Sequence, residues 1–316
     1  MKNLAGKRVL ITGAARGLGR TLALRLAAEE CTLALLDREE DGLQETAHLV
    51  IEAGAASAST FVCDLTKPEQ ISEAVQRIRA GIGSLDVLVN NAGVTWYGST
   101  GQMSGEEWDR LLAVNLLAPI QLIREFLPDL QSRPEAHILN VSSVYGLVAT
   151  NRSAAYHCSK FALVGLSEAL RAECDRNGLG VTVLCPGFMP TELFGASEEG
   201  KKDRRPPEWI CTTTERVADK AVRGILKDRR MVVVSPLAHT LYAVRRMFPG
   251  LLDSLYRFGR RKKLRKRMAQ HPVAQNEAGA FEEAEPIILP FERPAADRPD
   301  FSSSPTDHSS PHREAA

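Results

Sequence analysis

Thr12-Gly-Ala-Ala-Arg-Gly-Leu-Gly19 joins a short apolar run at 7–12 to a segment of helical spacing at 18–30. A turn this tight needs residues without a Cβ, both to take unusual backbone angles and to let a phosphate approach the main chain. The helix that follows offers free N–H groups and the positive end of its dipole to an anion. Gly13, Arg16, Gly17, Leu18 and Gly19 are therefore the expected phosphate cradle. Glycines alone carry little weight, since any tight strand-to-helix turn recruits them. Asp37 adds an independent point. It ends the next apolar run, 18 residues past Gly19, where a carboxylate binds the ribose hydroxyls of an adenine dinucleotide. Its repulsion of a 2′-phosphate favours NAD, whereas Arg16 and Arg38 could meet that phosphate and favour NADP.

Outward from this stretch, strand-like and helix-like segments alternate. Residues 39–53 read as helix, 59–63 as strand, 68–82 as helix and 85–90 as strand. Helices at 104–117, 120–130 and 156–176 follow, with strands at 137–142, 181–185 and 231–235. Such alternation predicts parallel strands joined by right-handed crossovers. The expected fold class is α/β, a single doubly wound parallel sheet of about seven strands. With 316 residues, 44% apolar and 25% charged, the chain has a globular composition and is neither fibrous nor wholly disordered. Six scattered cysteines without a C-x-x-C pair predict no disulfide framework and no zinc site. Cys63 and Cys185 read as small core residues and Cys158 as helix packing. His137 and His157 lack ligand-like partners, so no metal is expected. A net charge of +1 gives no global basic field for nucleic acid.

Further motifs follow in order: Asp64 after the third strand, Asn90-Asn-Ala-Gly93 after the fourth, and Tyr156-x-x-x-Lys160 on a helix. Together with the glycine-rich turn, they resemble the short-chain dehydrogenase/reductase family over residues 5–236. The resemblance implies a Rossmann-type sheet that holds NAD(P)H and a hydride transfer between an alcohol and a carbonyl. It implies catalytic roles for Asn115, Ser143, Tyr156 and Lys160, with Ser142 the less favoured serine. It also implies cofactor contacts from Asp64, Leu65, Asn91, Ala92, Gly93, Tyr156 and Lys160. Pro186-Gly-Phe-Met-Pro-Thr191 resembles the segment that holds the nicotinamide carboxamide, through Pro186, Gly187, Met189 and Thr191. Tyr156 and Lys160 stand at i and i+4, on one helix face. A phenol ionises near pH ~10, and the neighbouring ammonium is expected to bring Tyr156 down. Ser143 would stabilise charge on the substrate oxygen, and Asn115 would support a water-linked proton path to Lys160.

Past residue 236 the chain departs from the compact ketoacyl reductases, which close with a glycine-rich segment. Apolar runs at 237–248 and 251–258 lead instead into Arg257-Phe-Gly-Arg-Arg-Lys-Lys-Leu-Arg-Lys-Arg267. This layout is more similar to members acting on apolar alcohols and ketones. Three regions result: a dinucleotide-binding and catalytic domain at 1–236, a basic amphipathic extension at 237–268, and an acidic tail at 269–316. The tail, rich in proline and serine, is expected to be disordered. The extension suits an anionic membrane surface. It equally suits a helix over the substrate cleft, or a contact with the acidic tail. Nucleic-acid binding stands well behind. The loop at 194–209, with Lys201-Lys-Asp-Arg-Arg205, is placed to act as a lid. The apolar start is too short for a signal peptide's core, and no uninterrupted apolar run nears about 18 residues. A cytoplasmic protein is expected, in contact with a membrane at most. The resemblance implies a homodimer through the helices that carry Asn115 and Tyr156. The rival function is a nucleotide-binding scaffold or redox sensor with little turnover, which would need no proton relay.

Overall fold

Residues 9–11, 33–36, 87–89 and 138–139 are apolar at every position, the pattern of strands covered on both faces. The computed structural model describes residues 1–174, 178–189, 210–248 and 250, and in it these runs form such a sheet. Its strands are β1 (Arg8–Thr12), β2 (Thr32–Asp37), β3 (Ser57–Val62), β4 (Val87–Asn90), β5 (Ala136–Val141), β6 (Leu179–Cys185) and β7 (Met231–Val233). All pairs are parallel, in the order β3-β2-β1-β4-β5-β6-β7. The chain therefore winds one way from β1 to β3, then returns to build outward from β4. The strand order reverses between β1 and β4, which opens a crevice at their carboxyl ends.

The helices are α1 (Gly17–Ala27), α2 (Glu40–Glu52), α3 (Pro68–Ile82), α4 (Gly105–Leu112), α5 (Ala118–Gln131), α6 (Ala154–Cys174), α7 (Thr214–Leu226) and α8 (Pro236–Met247). Alternate residues of β1 enter opposite cores. Val9 and Ile11 meet Leu22, Leu26, Val217 and Val222 of α1 and α7. Leu10 meets Ile71 and Ile78 of α3 and Leu122 and Phe126 of α5. A third, smaller cluster forms around Leu147, Val164, Val183 and Cys185, where Leu241, Tyr242 and Val244 of α8 dock.

Three elements differ from the sequence reading. Helix α7 went unread, although Thr213 caps it by accepting the Arg216 N–H. It buries Val217, Ala218, Ala221, Val222 and Ile225, and Asp219 pairs with Arg25 of α1 at 2.6 Å. The segments at 104–117 and 120–130 merge into one run, because a π-helical turn at Ala113–Leu117 carries the helix into Pro119. That turn rearranges the hydrogen bonds where proline lacks its N–H. The merged run, Gly105–Gln131, is 27 residues long and passes a length-and-hydropathy test for a spanning helix, but Leu111, Leu122, Phe126 and Leu130 are spent on the core. Finally, β7 stops at Val233, since Ser235 accepts the Ala238 N–H and Pro236 opens α8.

The lid at 194–209, the run at 251–258, the basic cluster and the acidic tail lie outside the described residues. All six cysteines are free thiols. Cys63 and Cys185 are buried as expected, but Cys158 is exposed on α6. It stands two residues past the inward-facing Tyr156, about 200° around a helix.

Candidate active site

The crevice is a cleft of about 1450 Å³. Its first wall is the β1–α1 turn. Gly13 lies at φ +67°, and a Cβ there would meet the Ala92 Cα at 2.8 Å. A Cβ on Gly19 would run into the Gly13 carbonyl oxygen. At Gly17, φ +55°, nothing lies within 4 Å of that position. The turn is tied to the end of β4 from both sides. Asn91 Nδ2 donates to the carbonyls of Thr12 (2.9 Å) and Gly13 (3.2 Å). Thr12 Oγ1 accepts the Asn91 and Ala92 N–H groups, both at 3.0 Å. Helix α1 starts with no side-chain cap and no acid in its first turn, so its leading N–H groups face the cleft unspent.

Asp37 is fixed rather than merely present. It accepts N–H groups from Ala15 (3.1 Å), Arg38 (2.7 Å) and Glu39 (3.3 Å). Arg16 pairs with Glu39 at 3.0 Å, while Arg38 is exposed on the rim with no ion pair among the described residues. Asp64 accepts the Thr66 N–H and hydroxyl, both at 2.9 Å. The Thr66 N–H, above all, holds its carboxyl below the usual range, with help from the charges of Arg38 and Lys67. Leu65 and Gly93 also line the cleft. Open N–H groups, glycine clearances and an anchored acid fit a dinucleotide.

Both Ser142 and Ser143 line the cleft, but their side chains are engaged differently. Ser142 is buried and donates to the Lys160 carbonyl at 2.9 Å. Ser143 accepts the Tyr145 N–H at 3.1 Å and lines the cleft with Tyr156. Gly146 ends the short 3-10 turn after Ser143. A Cβ there would come within 2.6 Å of the Lys160 carbonyl oxygen, so this turn can lie on α6 only as glycine. Lys160 is 3% exposed. Its Nζ donates to the Val141 carbonyl at 2.9 Å and sits 5.6 Å from the centre of the Tyr156 ring.

The electrostatic expectation for Tyr156 is reversed. Burial pushes its phenol up to about 12, against the opposing pull of the Ser143 hydrogen bond. The same burial draws Lys160 down to about 8. Two groups shut away from water each favour their neutral form, and this outweighs the attraction expected from sequence spacing.

Asn115 sits in the π-helical turn with its side chain fully engaged. Oδ1 accepts the Val94 N–H (2.8 Å), and Nδ2 donates to the Val94 carbonyl (2.9 Å) and to Ser159 Oγ (3.2 Å). Asn115 Oδ1 and Lys160 Nζ flank Gly93, at 3.4 and 3.5 Å from the place a Cβ would occupy. Beyond β6, the Pro186 carbonyl accepts the Val144 N–H at 2.8 Å. Gly187 clears Ser235, whose Oγ would lie 2.8 Å from a Cβ. Met189 lines the cleft; Thr191 lies outside the described residues.

Sequence reasoning missed the aromatic wall. Trp96, Trp108, Val94 and Tyr145 gather on Leu111, Ala155 and Tyr156, and Trp96 Nε1 donates to Glu107 at 3.0 Å. The tryptophans and Tyr145 were visible as residues, but only tertiary packing brings them to Tyr156.

Residues 7–202 match the family described as short chain dehydrogenase. The chain is 32% identical over 264 residues to the ketoacyl reductase HetN of Nostoc sp., covering 82% of this chain and 91% of that one. It is 30% identical over 261 residues to epidermal retinol dehydrogenase 2 of Homo sapiens, covering 81% and 83%. Among solved structures, a short chain dehydrogenase/reductase from Burkholderia phymatum in complex with NAD superimposes with a TM-score of 0.72 at 26% identity, covering 80% and 97%. A metagenomic short-chain oxidoreductase in complex with NADP gives 0.63 at 30%, covering 73% and 97%.

Proposed function

The chain belongs to the short-chain dehydrogenase family, and on that premise we propose that it moves a hydride between NAD and an apolar alcohol/ketone pair. One observation carries the reading: Ser143, Tyr156 and Lys160 line the same cleft as Gly13, Gly17 and Asp37. When bound, the nicotinamide cofactor supplies or accepts the hydride. Gly17, Leu18 and Gly19 would hold its pyrophosphate, Asp37 the adenosine ribose, and Lys160 the second ribose. Asn91, Ala92, Gly93, Asp64, Leu65, Pro186, Gly187 and Met189 would frame the rest. Ser143 donates to the substrate oxygen and stabilises charge there. Tyr156 Oη exchanges the proton with that oxygen. Lys160 would carry a water-linked proton path away from it, with Asn115, whose side chain is spent on Val94 and Ser159, supporting that path from the other flank of Gly93.

The apolar substrate is supported by Trp96, Leu111, Val114 and Met189 along the cleft. The relatives name both a ketoacyl reductase and a retinol dehydrogenase, so an acetoacetyl thioester belongs beside apolar ketones in any substrate panel. A homodimer is supported by α6, whose exposed side carries the small residues Cys158, Ala162, Gly165 and Ala169, a stripe that allows another helix to approach closely. Cytoplasmic location and contact of 237–268 with a membrane surface complete the proposal.

The test is fluorescence titration with NADH and NADPH, each repeated on Asp37→Ala. Tighter NADH binding that weakens in the variant is the expected result. Tighter NADPH binding would assign the 2′-phosphate to Arg38 and Arg16. Binding of neither would overturn the cofactor reading and restore the scaffold alternative.

A further inference from the structure

His157 follows the proton-exchanging Tyr156 in sequence and is 6% exposed. Its tautomer is set by its neighbours. The Thr150 N–H can only donate, and it reaches Nε2 at 2.8 Å, so that nitrogen is the acceptor. The ring proton is therefore on Nδ1, which donates to the Ser153 carbonyl at 2.6 Å. Burial holds its pKa below the usual histidine value, and the charge of Arg245 on α8 adds to this against the pull of the Ser153 carbonyl. The ring is thus a neutral connector with both nitrogens in use.

Two lines run outward from it. The Tyr145 ring stacks on the imidazole, with centroids 4.6 Å apart and planes at 20°. Tyr145 then meets Tyr156 edge-on at 6.1 Å and 77°, and Phe188 at 5.8 Å and 88°. The other line runs through the loop that Thr150 and Ser153 bracket. Between them Arg152 is held at φ +69°, which costs a residue with a side chain conformational energy. Its carbonyl accepts the Gly98 N–H at 2.9 Å, and its guanidinium lies 5.8 Å over the Tyr97 ring. Tyr97 and Gly98 line the cleft.

We propose that His157 is a positioning residue for the reaction, with two separable parts. Its ring face braces Tyr145 and so the seat of Tyr156. Its Nε2 acceptor fixes the 149–153 loop and so the Tyr97–Gly98 rim where substrate enters. The inference rests on the oxidoreductase reading above.

The separation gives the test. His157→Phe keeps the stacking face and loses the acceptor, whereas His157→Gln keeps an acceptor and loses the face. Both are compared with the wild-type full chain in NADH titration, in hydrogen–deuterium exchange, and in NADH- or NADPH-driven reduction of 2-decanone, all-trans-retinal, a 17-ketosteroid and an acetoacetyl thioester. In His157→Phe, exchange should rise in peptides covering 147–153, and KM should rise about tenfold with kcat within about twofold. In His157→Gln, loop protection and KM should stay near wild type while kcat falls about tenfold. NADH affinity should stay unchanged in both.

Unchanged loop exchange in His157→Phe overturns the inference. So does the same fall in kcat and rise in KM in both variants, accompanied by faster exchange throughout the chain, because that marks a merely structural core residue. A wild type that binds neither cofactor or reduces nothing in the panel overturns the oxidoreductase reading itself and, with it, any part for His157 in the reaction. An active wild type with kinetically normal variants overturns only the inference.

Discussion

If Tyr156 exchanges the proton as proposed, its protonation state sets which direction runs faster at a given pH. A phenol raised to about 12 by burial keeps its proton at neutral pH, ready to be donated to a carbonyl oxygen. Reduction then starts from the dominant protonation state, whereas oxidation must first remove the proton. Lys160 sets the upper limit. Its ammonium, drawn down to about 8, is lost as pH rises through that value, and with it the positive charge that favours transfer at Tyr156. The kcat/KM for reduction should therefore be level through neutral pH and fall above about 8, while oxidation rises with pH as Tyr156 gives up its proton. A reduction rate that instead climbs between pH 8 and 10 would contradict this order of events. Tyr156→Phe should cost roughly 10²- to 10⁴-fold in turnover and leave NADH titration unchanged. A scaffold would keep its function in that variant.

At the scale of elements, α6 serves two surfaces. Its inner side carries Tyr156 and Lys160, with Ser159 linking to Asn115. Its outer side presents Cys158, Ala162, Gly165 and Ala169. If two copies join there, a bulky charge at the stripe's centre must separate them. Ala162→Arg should run at monomer mass in size exclusion with light scattering, where the wild type runs at twice that mass. A wild type already monomeric at micromolar concentration would remove the dimer from the proposal. The inner side of α6 was legible in the sequence, as were the β1–α1 turn and Asn90-Asn-Ala-Gly93, because each concentrates a local requirement in a few residues. Gly13 and Gly19 are needed wherever backbone meets backbone, and an i, i+4 pair shares a face in any helix. Less legible was what depends on distant partners. The saturation of Asn115 by Val94 and Ser159 required three segments to meet. The rise of Tyr156 required knowing how deeply it is buried. Helix α7 carried a cap and apolar spacing, yet the charges on its outer side obscured them.

For the whole molecule, the remaining question is what α8 and the sequence beyond it meet. The inner side of α8 is committed, through Leu241, Tyr242 and Val244, to the cluster around Val183 and Cys185. No residue of α8 lines the cleft among the described residues, so the part of the extension seen here is not the cleft cover that the sequence allowed. Leu237, Met247 and Phe248 remain outward at 37%, 65% and 58% exposure, with Arg245 and Arg246 in the last turn. The sequence from 257 to 267 then adds eight cations in eleven residues. Apolar side chains beside clustered cations suit an anionic bilayer surface, where each cation contributes about 1 kcal/mol. Removing 237–268 would be a poor test, because it uncovers the cluster that α8 protects. Reversing Arg260, Arg261, Lys262 and Lys263 to glutamate leaves the sequence of α8 untouched. Wild type should sediment with phosphatidylserine-containing vesicles and not with pure phosphatidylcholine, weakening with salt as charges are screened. The reversed chain should stay in solution with unchanged NADH affinity. If it sediments as wild type does, charge is not what draws the protein down. The basic run would then be paired elsewhere, with the acidic sequence at 269–316 the nearest complement in the chain.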